Sequence, residues 1–369
     1  MSAKQSDPRP AGGAYLASIG VASPEFVVNQ QEAADFLLHH YDGLLSPGSR
    51  RIIKKIFAHP SIHQRRLAVD ALPSLLAEAQ DSRIKRFTRQ AVTLASRAIS
   101  NALTATAYRP EQITALIVNT CTGYICPGLS TYLIEALGLS GRVQAFDLVG
   151  SGCGGAIPNL QLAESLVRAD SEAVAVSVSV EICSATFQMG NDISLLISNA
   201  LFGDGAAATL VTSRPGPWRL MASTSLTDPA LREEVRYVYK NGQLHNQLAN
   251  NLPELVNQCA TRVVDDVLRP RGLERNDIRF WALHPGGDRI LSAVKEGLQL
   301  SEEQLGPTRL ILSEYGNMSS PTVFFVLQEI SRLAAVRHDY CLMLAYGAGL
   351  SAHALLLQKT AEAGQVAAC

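Results

Sequence analysis

Residues 143–167 read VQAFDLVGSGCGGAIPNLQLAESLV, which places a strand pattern, a glycine-rich turn and a helical pattern in succession. The strand pattern covers 143–148, and the helical pattern extends to about residue 167. The apolar, β-branched run at 173–180 then predicts another strand. A strand, a helix and a second strand in this order indicate an α/β protein.

The same alternation continues on both sides of this unit. The further predicted helices are 83–103, 129–137, 252–268, 288–298 and 321–335, and the further predicted strands are 115–120, 280–284, 310–312 and 341–345. We therefore predict an α/β fold in which helices cover a mostly parallel sheet.

The repeated order of elements suggests two similar halves, 13–215 and 216–369, which meet near the segment SRPGPWRL at 213–220. Residues 1–12 are polar and rich in Pro and Gly, and we expect a flexible tail there. The C-terminal residues 360–369 have a similarly loose composition.

The composition is that of a soluble globular enzyme, with 47% hydrophobic and 18% charged residues among 369. A formal net charge of -1 gives no general attraction to nucleic acid or to an anionic membrane. The N-terminus lacks the apolar core of a signal peptide, and no run approaches the roughly 20 apolar residues of a membrane span. We expect a cytoplasmic protein that binds no nucleic acid and does not insert into membranes.

The seven cysteines are scattered, and no pair or Cys/His cluster has the spacing of a zinc site. We therefore expect reduced thiols and no metal centre. The question is which thiol has a chemical role.

Cys153 is the strongest candidate for a nucleophile. It lies in LVGSGCGG at 148–155, between a strand and a helix, and the glycines permit a sharp turn. The thiol then lies near a helix N-terminus, whose partial positive charge favours thiolate. The same pattern also fits a small packing residue at a tight turn.

His284 and Asn317 are candidate partners of Cys153. His284 ends an apolar strand and precedes Pro285-Gly286-Gly287, a place where α/β sheets present groups to ligands. Asn317 lies in a turn before a helix, where its amide could donate a hydrogen bond without titrating. Taken singly, each also fits a helix cap or turn residue. Together, in the order Cys, His and Asn, the three motifs are much more specific than any one, and they fit a nucleophile with two donors to a developing oxyanion.

In these motifs the chain resembles the type III polyketide synthases, the chalcone and stilbene synthase-like family, and it is most similar to bacterial members. The matching strings are SGC at 151–153, ALFGDGAA at 200–207, WALHPGG at 281–287, GNMSS at 316–320 and YGAGL at 346–350. The resemblance implies a thiolase fold, with two βαβαβαββ halves in five αβαβα layers, and a homodimer.

The resemblance also implies the reaction, an iterative decarboxylative condensation of malonyl-CoA onto an acyl-CoA starter that is carried on Cys153. His284 and Asn317 would stabilise the enolate, and the product would cyclise to a pyrone or to a resorcinol or phloroglucinol type. CoA thioesters would be the substrates, and no metal or redox cofactor would be needed.

Several further positions match residues that line the family's substrate cavity. Phe202 matches an aromatic gatekeeper, although core packing is an alternative role. The second gatekeeper falls at 244–247, where His245 is the only aromatic side chain, so we expect a more polar tunnel mouth. The remaining cavity positions are Cys121, Cys183, Thr186 and Ser319, and Cys126 lies in a loop expected to reach the partner's cavity.

The densest basic cluster is SRRIIKK at 49–55, together with Arg65 and Arg66. The resemblance places the CoA diphosphate there, with Lys54 and Lys55 as candidate ligands. An ordinary solvated helix face is the alternative.

Two other functions fit parts of this pattern. A ketosynthase III-like enzyme that uses carrier-protein-bound chains, or condenses once, would share Cys153, His284 and Asn317. A non-catalytic acyl-CoA-binding relative would not need all three residues. A degradative thiolase is disfavoured, because Cys341 lies within a strand pattern and not in a glycine turn.

Overall fold

The computed structural model describes residues 13–76, 78–240, 243–333 and 338–360. The strands are β1 Ala14–Ala22, β2 Val27–Asn29, β3 Gln64–Arg66, β4 Ala115–Asn119, β5 Gln144–Leu148, β6 Val174–Ile182, β7 Asp204–Thr212, β8 Trp218–Thr227, β9 Val235–Lys240, β10 Gln243–Leu248, β11 Ile278–Leu283, β12 Tyr340–Gly347 and β13 Ser351–Lys359. The α-helices are α1 Gln30–His40, α2 Pro47–Phe57, α3 Gln80–Thr104, α4 Leu129–Leu137, α5 Ala156–Ala169, α6 Ile193–Leu201, α7 Leu252–Leu268, α8 Asp288–Leu298, α9 Glu302–Tyr315 and α10 Thr322–Leu333.

A nine-stranded sheet runs in the order β11-β12-β13-β8-β1-β7-β6-β4-β5. Its two parts join where β1 pairs with β8 through Ala14–Leu220, Tyr15–Arg219 and Leu16–Trp218. The predicted division at 215/216 falls in the connection between β7 and β8, and the division into two halves stays a prediction.

The sheet is mixed, so the expectation of a mostly parallel sheet was wrong. Strand β4 is parallel to β5 and β6, and β11 is parallel to β12. The pairs β1–β7, β1–β8, β6–β7, β8–β13 and β12–β13 are antiparallel. Strands β12 and β13 are joined by a short turn, which can only connect antiparallel neighbours.

Helices cover the sheet in layers because successive strand residues face opposite sides. On β4, Ala115 and Ile117 pack in the cluster that contains α5 and α10, whereas Leu116 and Val118 pack with α3 and α4. The other part of the sheet packs α5 and α10 on one face and α7 and α8 on the opposite face. The helices α5 and α10 therefore lie between the two parts of the sheet.

Most predicted elements are present, with 129–137, 252–268 and 288–298 matching α4, α7 and α8. The predicted strand at 310–312 was wrong, because these residues belong to α9. Within this helix Ile311 and Leu312 are buried while Leu310 is exposed, so the short apolar run is part of a helix face. A capping box formed by Ser301 and Gln304 begins the helix.

The expected tail at 1–12 lies outside the described residues, as does 361–369. Thr360 is held by a hydrogen bond from its N–H to the carbonyl of Pro217 at 3.0 Å. In the described part of the chain, no helix combines the length and apolarity that crossing a membrane requires.

Candidate active site

Cys153 lies in a tight turn that two close backbone segments define. The residues Gly152–Gly155 form a short 3₁₀ turn directly before α5, and Gly150 and Gly152 have φ values of 95° and 54°. A Cβ on Gly347 of β12 would lie 2.4 Å from both the Ser151 carbonyl oxygen and the Gly154 nitrogen. Only glycine permits this contact, which fixes the turn against the end of β12.

The Cys153 side chain is half-buried, and its thiol has two side-chain hydrogen-bond partners. The side chains of Ser319 and Asn317 hydrogen-bond to it and lower its pKa, whereas Glu181 raises it. Burial dominates and raises the pKa of Cys153 to about 12. Desolvation outweighs these donors, and the expectation that the helix N-terminus favours a thiolate stays a prediction.

Asn317 is fixed by its backbone and by its side chain. Its N–H donates to the carbonyl of Leu201 at 2.9 Å, and its carbonyl accepts from Gly203 N–H at 3.0 Å. Its Oδ1 accepts from the N–H of Ser319 at 2.7 Å, and Ser319 has a φ of 59°. With Oδ1 engaged, Nδ2 is the end of the carboxamide that donates toward Cys153.

His284 follows the last residue of β11 and is almost fully buried. Its N–H donates to the Leu344 carbonyl at 2.8 Å, and its carbonyl accepts from the hydroxyl of Tyr346. Among the described residues, neither ring nitrogen has a hydrogen-bond partner. Burial lowers the pKa of His284 to about 3, so the imidazole is neutral at physiological pH.

Tyr346 contacts His284 and lies near Cys153. Its ring packs edge-on against that of His284, with 5.5 Å between centroids. Burial raises the pKa of the Tyr346 hydroxyl, and the nearby charge of a Cys153 thiolate raises it further. The structure therefore brings Asn317 into contact with Cys153, and Tyr346 is a neighbour of both Cys153 and His284.

Glu181 is a buried carboxyl group that sequence inspection did not single out. Its Oε2 accepts from the N–H groups of Cys121 at 2.9 Å and Thr122 at 3.1 Å. Its Oε1 accepts from the hydroxyls of Ser319 at 3.3 Å and Ser320 at 2.9 Å. Burial raises the pKa of Glu181 and these donors oppose the shift, so the carboxyl group ties three chain segments together.

Cys121 and Cys153 both lie beside Ser319. Its sulfur is 3.4 Å from the Ser319 hydroxyl. Burial raises the pKa of Cys121 well above its usual value, and the charges of Glu181 and Cys153 add to the shift. The predicted cavity residues Cys121 and Ser319 therefore lie close to Cys153.

A cavity lined by Phe202, Cys183 and Thr186 adjoins this cluster. Phe202 forms an isolated β-bridge with Asn317, so the predicted gatekeeper neighbours a predicted oxyanion donor. Tyr237 also lines the cavity, from β9 opposite Asn246 of β10. Sequence inspection did not single out Tyr237, because it lies on the strand before the segment 244–247, and the expected polar tunnel mouth at His245 stays a prediction.

The predicted CoA-binding residues separate into two groups. Lys54 and Lys55 are exposed on α2. Arg65 was wrongly grouped with them, because it is buried and donates to Gln30 Oε1 at 2.9 Å and to the Phe202 carbonyl at 2.9 Å. Its guanidinium is used inside the protein, and burial lowers its pKa to about 10.

Cys126 is exposed in the loop that precedes α4. It is not among the residues that line the cavity described above, and nearby Tyr124 is 74% exposed. Its expected position beside a partner's cavity stays a prediction.

Comparison with known proteins covers nearly the whole chain. Residues 29–228 match the model of FAE1/type III polyketide synthase-like proteins, and residues 228–361 match the C-terminal domain of chalcone and stilbene synthases. The chain is 31% identical over 360 residues to the alpha-pyrone synthesis polyketide synthase-like Pks18 of Mycobacterium tuberculosis, covering 93% of this chain and 90% of the relative.

The chain belongs to the type III polyketide synthase family.

Two further relatives agree with this assignment. A 3,5-dihydroxyphenylacetyl-CoA synthase of Streptomyces toyocaensis is 27% identical over 95% of this chain and 90% of its own. The 1,3,6,8-tetrahydroxynaphthalene synthase of Streptomyces coelicolor superimposes with a TM-score of 0.86 at 25% identity, covering 94% of this chain and 99% of that one. The predicted thiolase-like fold is confirmed.

As a type III polyketide synthase, the protein is a condensing acyltransferase whose reaction is iterative malonyl condensation followed by cyclisation. The ketosynthase III-like alternative is not favoured.

Proposed function

We propose that this synthase carries an acyl-CoA-derived starter on Cys153, extends it with malonyl-CoA and releases a pyrone or a resorcinol or phloroglucinol-type product. The observation that carries the proposal is the contact of the Cys153 thiol with the side chains of Asn317 and Ser319. The name of Pks18 as an alpha-pyrone polyketide synthase-like protein supports a pyrone among these products.

In the first step, the sulfur of Cys153 attacks the carbonyl carbon of the starter thioester, and CoA leaves as its thiol. The attack requires removal of the thiol proton. His284 is the proposed acceptor, because it is a neutral base with two unpartnered ring nitrogens. A thiolate and an imidazolium formed together stabilise each other, which offsets the desolvation that disfavours each alone.

In the second step, malonyl-CoA loses CO2 and its remaining electrons form an enolate. The enolate oxygen needs hydrogen-bond donors in a site without water. Asn317 Nδ2 and a His284 ring N–H are the proposed donors, each worth on the order of 3 kcal/mol at the transition state. The enolate carbon then attacks the acyl group on Cys153, a carbon–carbon bond forms, and the cysteine sulfur leaves.

The chain, now two carbons longer and attached to CoA, returns to Cys153 or cyclises. Decarboxylation of the malonyl group supplies the carbanion, and the reaction needs no external oxidant or reductant. We therefore propose that no metal or redox cofactor takes part. We propose Lys54 and Lys55 as ligands of the CoA phosphates, since both ammonium groups are exposed.

We also propose a cytoplasmic homodimer. Strand β5 is an edge of the large sheet, and Val149 beyond its end is 58% exposed. An exposed edge strand beside apolar side chains is a surface that another chain can cover. In such a dimer the loop with Cys126 would reach the partner's cavity.

The proposed function is tested by incubating the enzyme with malonyl-CoA and a panel of acyl-CoA starters, and by measuring CO2 release and product masses. We expect products extended by two or more malonyl units, with malonyl-CoA preferred over malonyl carrier protein. Cys153→Ala should give no condensation product, whereas Cys259→Ala, which removes a buried thiol on α7, should stay active. Condensation by Cys153→Ala, or use of the carrier protein alone, would refute the proposal.

A further inference from the structure

Asn119 is the last residue of β4, and its polar side chain is buried with only 4% of the residue exposed. Its Oδ1 accepts from the hydroxyl of Ser179 at 2.6 Å, and its Nδ2 donates to the hydroxyl of Ser320 at 2.9 Å. Both serines are fully buried as well. A carboxamide with both ends engaged in the interior has a fixed orientation, so the oxygen of Ser320 faces a donor.

Asn119 also packs against the turn that contains Cys153. A Cβ on Gly155, the last residue of that turn, would lie 2.8 Å from Nδ2 of Asn119. A side chain at position 155 would therefore displace the carboxamide. Asn119 thus contacts the nucleophile turn on one side and, through Ser320, the segment that carries Asn317 on the other.

The proton of Ser320 is directed to the buried carboxyl group of Glu181. Because the Ser320 oxygen accepts from Asn119, its own O–H is free to donate, and Glu181 Oε1 lies 2.9 Å away. The hydroxyl of Ser319 is the other donor to Oε1, at the longer distance of 3.3 Å. The second carboxylate oxygen, Oε2, has its own donors in the segment 120–122. The two serines therefore compete for Oε1.

The Ser319 hydroxyl has a second possible acceptor in the sulfur of Cys153. It hydrogen-bonds with the Cys153 thiol, and it has only one proton to donate. Its oxygen lies 3.4 Å from the sulfur of Cys121, whose raised pKa keeps that thiol protonated and able to donate. When Ser320 supplies the hydrogen bond to Glu181 Oε1, the proton of Ser319 is left for the sulfur of Cys153.

We propose that Asn119 is a positioning residue for the reaction of Cys153, because it orients Ser320 toward the carboxyl group and leaves Ser319 to donate to the reacting sulfur. The hydrogen bond from Ser319 stabilises the thiolate when Cys153 attacks the starter, and again when the sulfur leaves the extended chain. This inference rests on the proposed function and adds a residue that acts on the nucleophile through two others.

The loss of Asn119 has an effect of known sign on the thiol. Without it, the Ser320 proton is no longer directed to Glu181, and the carboxylate attracts the Ser319 proton in its place. The hydrogen bond from Ser319 lowers the pKa of Cys153 by more than the charge of Glu181 raises it. Removal of the carboxamide should therefore raise the pKa of the thiol and slow its reactions near neutral pH.

Asn159 provides a matched control for Asn119. It is also a buried asparagine whose Nδ2 donates to a serine hydroxyl, that of Ser177 at 2.7 Å. The same nitrogen donates to the carbonyls of Ile117 and Val178, at 3.1 Å each, and so fastens α5 to the sheet. Asn159→Ala should lower the stability of the protein, as Asn119→Ala should, but it leaves the donors to the carboxyl group in place.

The experiment follows the iodoacetamide labelling of Cys153 as a function of pH, by mass spectrometry of its peptide, together with kcat, KM and the thermal unfolding midpoint. In Asn119→Ala we expect the pH midpoint of labelling to rise by about one unit, and kcat at neutral pH to fall about tenfold. The KM for malonyl-CoA should stay within about twofold, since no substrate contact is removed. Asn159→Ala should lower the unfolding midpoint and keep the wild-type labelling midpoint.

A double variant shows whether Asn119 acts through Ser320. Ser320→Ala removes the donor to Glu181 directly, so it should raise the labelling midpoint as Asn119→Ala does. The double variant Asn119→Ala/Ser320→Ala should label no more slowly than Ser320→Ala, because both changes break the same path. Effects that multiply in the double variant would overturn this path.

The outcomes separate the inference from the proposed function. If the wild type forms no condensation product, or if Cys153→Ala still condenses, the proposed function fails and the inference fails with it. If the wild type is active and Asn119→Ala shifts the labelling midpoint no more than Asn159→Ala does, only the positioning role is refuted. If Asn119→Ala does not fold, an unchanged labelling midpoint in Ser320→Ala still refutes that role.

Discussion

The side chains of Asn317 and His284, the two proposed hydrogen-bond donors, differ in their own hydrogen-bond partners. The carboxamide of Asn317 is oriented by the N–H of Ser319 and contacts the thiol. Neither ring nitrogen of His284 has a hydrogen-bond partner among the described residues. A fixed donor and an unengaged one can both bind an oxygen that gains charge in the transition state.

We expect His284→Ala and Asn317→Ala each to lower the rate of malonyl-CoA decarboxylation by roughly 10²–10³-fold, since each removes one enolate donor. The rate of CO2 release measures this directly. Gln304→Ala, which removes a capping side chain on α9, serves as a surface control and should have a near-normal rate. Near-normal CO2 release by either active-site variant contradicts its assigned role.

The pH dependence of Cys153 alkylation tests whether His284 takes its proton. Burial raises the pKa of the thiol and lowers that of the imidazole, so only a coupled ion pair makes thiolate abundant near neutral pH. In His284→Gln we expect the iodoacetamide inactivation rate to fall, and its rise with pH to move to higher pH. Identical pH profiles for both proteins would show that His284 does not accept the proton.

The sequence alone predicts the three reactive residue types but not the groups around them. Cys153, His284 and Asn317 each stand beside glycines or a strand end, and those local patterns are visible in one chain segment. Glu181 and Tyr237 carry no such local signal. Glu181 meets Cys121 across 60 residues and Ser319 across 138, and only the fold creates these contacts.

At the level of elements, the position of Cys153 depends on the contact between its turn and the end of β12. Gly347→Ala would place a Cβ 2.4 Å from two backbone atoms, and backbone cannot move aside as a flexible side chain can. We expect at least a tenfold loss of condensation activity, measured with saturating substrates. Gly306→Ala in α9, where no atom lies within 4 Å, should keep full activity, and full activity in Gly347→Ala would refute the importance of this contact.

Helices were predictable where an apolar stripe of helical period continued for several turns, as in α4, α7 and α8. The strand at 310–312 was wrong because three apolar residues are too few to separate a strand from one turn of a helix. The mixed sheet was also missed. Pairing across the sheet joins β1 to β7 and β8, about 200 residues away in sequence, and element order does not reveal it.

The stability of the whole molecule should depend on pH through two buried histidines. Burial lowers the pKa of His353 to about 4 and that of His284 to about 3, while both lie near 6.5 in an unfolded chain. The unfolded state therefore binds more protons below pH 6.5, and stability falls as the pH decreases. The slope is about 1.4 kcal/mol per pH unit for each histidine.

His353 provides the variant for this test. Its ring packs beside Gly154 in the Cys153 turn, and its Nδ1 hydrogen-bonds with the Ser225 hydroxyl at 2.8 Å. In His353→Gln we expect the free energy of unfolding from denaturant titrations to decline less steeply than in the wild type between pH 6.5 and 4. His39→Gln, which changes an exposed histidine, should retain the wild-type decline. An unchanged slope in His353→Gln would contradict the assigned titration.

The central claim is that Cys153 carries the growing acyl chain, and the mass of the peptide that contains it tests this most directly. The enzyme is incubated with a starter acyl-CoA alone, quenched in acid, digested and weighed by mass spectrometry. We expect one acyl group on Cys153, and its loss when malonyl-CoA is added before the quench. An acyl group on Cys121 in its place, or product formation while Cys153 is never acylated, would contradict the claim.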